Sequence, residues 1–87
     1  MDDVTFTESA FHHGFMESDF HEMLAGYYIK IRSRRGLYDI YEIFGQNLAG
    51  DYIHAIYRRD KATKPIKVFH MNTMTAADQR RYKKGKR

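Results

Sequence analysis

The chain contains no cysteine, which excludes a disulfide framework, thiolate metal sites and a cysteine nucleophile, and suits a reducing compartment. No apolar run approaches the ~20 residues that a membrane span requires. The acidic start Met1-Asp2-Asp3 is unlike a secretory leader. The expectation is therefore a cytoplasmic protein with no membrane partner. A glycine-rich phosphate loop, a His-Glu-x-x-His helix and a Gly-x-Ser-x-Gly elbow are also missing. Those gaps remove the commonest nucleotide, zinc-hydrolase and serine-hydrolase signatures, so no small-molecule cofactor is expected. Residues 1–27 lack Lys and Arg altogether.

What is present is enough for one folded unit. A chain of 87 residues removes roughly two-thirds of its unfolded surface from water, which supports one core with little margin. Apolar residues at 43% and aromatics at 15%, all Tyr and Phe, exceed what a disordered segment carries. The net charge of +4 is unevenly spread. Asp2, Asp3, Glu8, Glu17, Asp19 and Glu22 make the first 27 residues acidic; residues 28–72 carry nine Lys or Arg against four acids, and residues 73–87 carry six against Asp78 alone. Such a chain can turn a positive face to a polyanion, although a solvated surface with a solubilising tail gives the same composition.

Two short helices are expected first: Glu8 to His13, capped by Thr7 and closed by Gly14, then Asp19 to Ala25, capped by Ser18 and stopped by Gly26. From Tyr27 the period changes to two. Tyr27, Ile29 and Ile31 alternate with Tyr28, Lys30, Arg32 and Arg34, the pattern of a half-buried strand. Arg35-Gly36 punctuates it. Further strands follow at Tyr38 to Phe44, Tyr52 to Arg59 and Ile66 to Met71, separated by Gly45–Gly50 and Asp60–Pro65. Thr75-Ala76-Ala77-Asp78 has the form of a capping box opening a last helix. The expected fold is α+β in the order ααββββα, a four-stranded, mainly antiparallel sheet with its helices packed on one face. Residues 1–82 form the single domain and residues 83–87 a basic C-terminal tail.

The five histidines have no acidic or cysteine partner at ligand spacing, so no metal site is expected. Cleaving RNA needs less: a group to take the 2′-hydroxyl proton, a group to protonate the leaving oxygen, and fixed cations for the phosphorane. His54 and Arg58 share one strand face, His70 ends the neighbouring strand, and Arg80, Arg81 and Tyr82 follow on the helix. Together they could surround a phosphate. Each has an ordinary alternative, since strand histidines and helix arginines are commonly packed or solvated, and Tyr82 suits closing the helix against the sheet.

Taken in order, His13-Gly14, Tyr41-Glu42-Ile43-Phe44-Gly45, Gly50-Asp51-Tyr52-Ile53-His54-Ala55-Ile56-Tyr57-Arg58, and Val68-Phe69-His70-Met71-Asn72 leading into Thr75-Ala76-Ala77-Asp78-Gln79-Arg80-Arg81-Tyr82 resemble the BrnT-type toxins of the RelE-like ribonucleases. The resemblance runs from about Thr7 to Tyr82. It implies a RelE-like fold, metal-independent mRNA cleavage that inhibits translation, and neutralisation by a cognate DNA-binding antitoxin protein. The residues that it and the strand pattern put forward for catalysis are His70, Arg58, Arg81, His13 and Tyr82; those for RNA binding are Arg32, Arg34, His54, Arg80, Lys83 and Lys84. The chain departs from the family where Ser-Ala-Arg is replaced by His70-Met71-Asn72 and Glu-Arg by Asp78-Gln79. Two arginines are thereby missing, so a non-catalytic RNA-binding module on the same scaffold is the alternative. A structural subunit using its acidic helices as a protein interface is a third reading.

Overall fold

The computed structural model describes residues 4–35, 38–60 and 65–86. In chain order these form β1 (Val4–Phe6), a 3₁₀ turn (Glu8–Phe11), α1 (Glu17–Ala25), β2 (Tyr28–Arg35), β3 (Tyr38–Gln46), β4 (Tyr52–Asp60), β5 (Ile66–Thr73) and α2 (Ala76–Gly85). The turn expected at Arg35-Gly36 and most of the loop expected before Pro65 lie outside the described residues.

The sheet has five strands in the order β1-β5-β4-β3-β2 and is mixed, which corrects the expected four-stranded, mainly antiparallel sheet. The missed strand is β1, which runs parallel to β5 with Val4, Thr5 and Phe6 opposite Ile66, Lys67 and Val68. Three residues are too few to display a period. What holds them is the edge of β5: the Thr7 amide donates to the Val68 carbonyl at 2.9 Å, and the Ser9 hydroxyl to the Phe69 carbonyl at 2.9 Å. A parallel pair needs a long crossover, and the intervening chain supplies it.

The helices lie on opposite faces of the sheet, a second correction. α1 and the 3₁₀ turn cover one face, where Ala10, Phe20 and Met23 pack on Tyr41, Ile43, Ile53, Ala55, Tyr57, Val68 and Met71. Burying each large member of this set, such as Phe20 or Ile53, contributes about 1.5–3 kcal/mol relative to exposure. α2 covers part of the other face, where Tyr82 and Met74 pack on Phe44, flanked by Ile29 and Tyr52. The alternation along β4 makes both possible, because Ile53, Ala55 and Tyr57 face α1 while Tyr52 and His54 face the α2 side.

Local endings differ from expectation as well. The first helix is only a 3₁₀ turn, and the Thr7 hydroxyl bonds Ser9 Oγ at 2.8 Å instead of capping it. Gly14 does take a positive φ of 87°, a conformation that glycine adopts without steric cost. α1 begins at Glu17, not after Ser18, because the Asp19 carboxylate accepts from the Met16 amide at 2.7 Å. Asp19 also accepts from Asn47 Nδ2 at 3.0 Å, and Glu22 accepts from the Leu48 amide at 2.8 Å, so two of the early acids tie α1 to the β3–β4 loop. At α2 the Thr75 hydroxyl accepts from the Asp78 amide at 3.1 Å as expected. The Asp78 carboxylate instead faces Arg81 at 3.5 Å. α2 continues through Lys83 and Lys84 to Gly85, so most of the expected tail is helical.

Candidate functional site

On the α2 side of the sheet, three of the five histidines converge. Ring centroids are 5.9 Å apart for His54 and His70 and 5.8 Å apart for His13 and His70, both edge to face. His54 comes from β4, His70 from β5, and His13 from the segment between the 3₁₀ turn and α1. The remaining two stay apart: His21 packs its edge on Phe6 and Phe20 against the main core, and His12 is exposed.

His70 reaches this face because β5 carries a bulge. Tyr57 pairs with Val68 but Ile56 pairs with His70, so Phe69 is an extra residue. In a regular strand Val68 and His70 would share a face, and Val68 is fully buried in the main core. The inserted residue resets the alternation and turns the imidazole to the opposite face, a common use of bulges beside functional groups. The result is a half-buried base among other bases. Burial, and then the neighbouring imidazoles of His54 and His13, hold the His70 pKa below its ordinary value of 6.5.

His54 is held on two sides. Its ring stacks on Phe44, the residue directly across β3, at 4.4 Å between centroids. Its Nε2 lies 2.9 Å from Glu42 Oε1. An ionised carboxylate can only accept, so Nε2 carries the proton of this bond and Nδ1 is the remaining exchangeable position. The guanidinium carbon of Arg81 sits 4.7 Å from the Phe44 ring centroid, so the ring on which His54 stacks also carries a cation. Arg81 is half-exposed and its charge is partly shared with Asp78.

The other expected residues separate into groups. Tyr82 is buried under α2, where its hydroxyl donates to the Tyr27 carbonyl at 3.1 Å, and burial raises its pKa first, followed by Tyr27 and Tyr52. It packs the helix and is not part of the histidine row. Arg58 shares the strand face of His54, with its backbone about 13 Å further along β4. Arg32 lies on the α1 face, paired with Asp39 at 3.3 Å and beside the Tyr41 ring. The backbone of Arg34 belongs to β2, and its side chain lies outside the described residues. Arg80, Lys83 and Lys84 are exposed on α2, with Lys83 Nζ 5.0 Å over the Tyr52 ring. The expected RNA-binding set is thus divided between two faces.

Comparison with family models, curated proteins and solved structures finds no match. The site therefore stands on its own geometry.

Two residues escaped the sequence reading: Glu42 and Phe44. The signal for both was available in the β3–β4 hairpin, because Phe44 must face His54 once the loop Asn47–Asp51 fixes the register. That loop is set by Gly50 at φ 88° and by Asn47, whose Oδ1 accepts from the Asp51 amide at 2.8 Å. Among the described residues, no group of three or more His, Asp or Glu side chains is arranged to hold a metal ion. A cleft of about 290 Å³ lined by Tyr27, Gln46, Leu48 and Tyr82 includes none of the histidines. No helix among the described residues is long and apolar enough to cross a membrane.

Proposed function

We propose that this protein is a BrnT-type toxin, a metal-independent RNA endonuclease that cleaves mRNA in the cytoplasm and is neutralised by a cognate DNA-binding antitoxin. The observation that carries the reading is the convergence of His70 with two further imidazoles, its pKa lowered by burial and by those neighbours, while Arg81 contacts the Phe44 ring on which His54 stacks. A neutral imidazole can take the 2′-hydroxyl proton of an RNA strand, and a guanidinium stabilises the charge that develops on the phosphorane. Arg80, Lys83 and Lys84 on the same helix would attract the phosphates on either side. The ordered motifs from His13-Gly14 to Tyr82 support the same family. An antitoxin with an acidic surface would cover these cations and exclude substrate.

The second reading, RNA binding without cleavage, is favoured by what stands at the family's two arginine positions. Asn72 Oδ1 accepts from the Thr73 amide at 2.8 Å, and Gln79 Nε2 lies 3.5 Å from the Met74 carbonyl. Both side chains serve the backbone and bring no cation. The third reading, an acidic interface, is weakened because Asp19 and Glu22 already hold the β3–β4 loop.

Induced expression in a bacterial host tests the first reading. Growth arrest with shortened transcripts is expected, together with cleavage of RNA by purified protein in the presence of a chelator. Normal growth and intact RNA, with binding retained, would support the second reading in its place.

A further inference from the structure

The row of imidazoles contains a division of labour that the proposed function does not by itself require. His70 and His54 are neighbours on one face, yet their surroundings are opposite in kind. Among the described residues, the ring nitrogens of His70 have no hydrogen-bond partner, and its near neighbours are other imidazoles. His54 instead faces a carboxylate through Nε2 at 2.9 Å and is held flat on Phe44. Glu42 is itself only partly covered, and it sits on β3 one alternation from Phe44, so both supports of His54 rise from the same strand.

Resting on the ribonuclease reading, we infer that His54 is the proton donor to the leaving oxygen, that His70 is the base, and that Glu42 is the positioning residue of His54. When His54 carries protons on both nitrogens, Nε2–H is engaged by Glu42 as a charge-assisted hydrogen bond and Nδ1–H is left to donate. The groups beside that imidazolium are the Glu42 carboxylate from β3 and the His70 ring from β5, while Arg81, paired with Asp78, reaches from α2 to the Phe44 ring on which His54 stacks.

The step balances as an in-line transfer. The 2′-oxygen gives its proton to the neutral His70 ring and forms the new O2′–P bond. The P–O5′ bond breaks, and the His54 Nδ1 proton goes to the departing 5′-oxygen. The products are a 2′,3′-cyclic phosphate end and a 5′-hydroxyl end. Exchange with water then returns a proton to His54 and removes one from His70. No oxidant, metal or further reactant enters.

A leaving group that needs no proton separates the two roles. Purified wild type, His54→Gln, Glu42→Gln and His70→Ala are compared on an RNA oligonucleotide and on nucleoside 3′-(4-nitrophenyl phosphate) esters of the four bases, with thermal melts to confirm folding. On RNA, His54→Gln and His70→Ala are expected to lose roughly 10²–10⁴-fold in kcat. Glu42→Gln keeps an accepting oxygen but no charge and loses up to roughly 10²-fold, in kcat with KM unchanged. On the nitrophenyl esters His54→Gln and Glu42→Gln recover close to the wild-type rate, while His70→Ala does not. Equal losses by His54→Gln on both substrates, or full RNA cleavage by Glu42→Gln, overturn the assignment while leaving the ribonuclease reading intact. Wild type that cleaves neither substrate overturns both.

Discussion

The imidazole of His54 lies on the phenyl ring of Phe44 with the two planes within 6° of each other. Phe44 is also buried against Tyr82 and Met74, so one side chain belongs both to the packing of α2 and to the floor of the candidate site. Packing and chemistry are therefore coupled through a single cross-strand pair.

That coupling gives the first prediction. Phe44→Leu keeps most of the apolar volume and is expected to cost under about 1.5 kcal/mol. It nevertheless removes the surface on which His54 stacks and the ring beside Arg81. RNA cleavage should fall further than stability does. Urea denaturation together with a cleavage assay on the same preparation checks this, and proportionate small changes in both would show that the stack is only packing.

Tyr82 anchors α2. Tyr82→Phe removes the hydrogen bond to the Tyr27 carbonyl and should cost about 0.5–1.5 kcal/mol. Tyr82→Ala leaves a cavity beneath the helix and should cost about 3–5 kcal/mol. Both values are read from urea unfolding midpoints. A Tyr82→Phe protein that is stable but inactive would return the hydroxyl to the chemistry.

Stability should depend on pH through His70. Its folded pKa lies below the ordinary value of 6.5, so near neutral pH both states are largely unprotonated and nothing is lost. As the pH falls below 6.5 the unfolded chain takes up the proton first, and stability declines until the folded pKa is reached. His70→Asn should flatten that decline in urea midpoints measured between pH 7.5 and 5. An unchanged slope would mean that another group is responsible.

His70→Ala is expected to abolish toxicity and cleavage while leaving the fold and RNA affinity largely intact, a loss of roughly 10²–10⁴-fold in rate. Under the proposed function Arg81→Ala should lower the rate and also weaken binding, because the guanidinium contacts the ring that supports His54 and is exposed enough to meet a phosphate. Filter binding and single-turnover cleavage separate the two effects. His70→Ala protein that cleaves at the wild-type rate would leave His13 and His54 as the candidate bases.

Salt should weaken RNA binding steeply, since each neutralised phosphate releases counterions. Deleting residues 83–87 is a poor probe of this, because α2 extends to Gly85 and Lys86 Nζ bonds Gln46 Oε1 at 2.8 Å. The double substitution Lys83→Gln and Lys84→Gln keeps the helix and should make the salt slope shallower by up to roughly two. An unchanged slope would assign both lysines to solubility.

Alternation and aromatic, β-branched composition were enough to show β2, β3, β4 and β5 as strands, and Thr75 marks where α2 begins. Charge was legible as a distribution but not as a surface: Arg32 and Arg81 look alike in the sequence and lie on opposite faces of the sheet. β1 was hidden because three residues carry no period and owe their strand form to the edge of β5. The side chosen by α2 was hidden too, since Tyr82 finds its cover only once Phe44, Tyr52 and Ile29 are brought together. For the candidate site, the sequence by itself determined which bases and cations are present and that His54 and His70 sit near each other on adjacent strands. Only the tertiary structure decided that they meet, because one extra residue at Phe69 reverses the alternation of β5 and so turns His70 from the buried face to the open one.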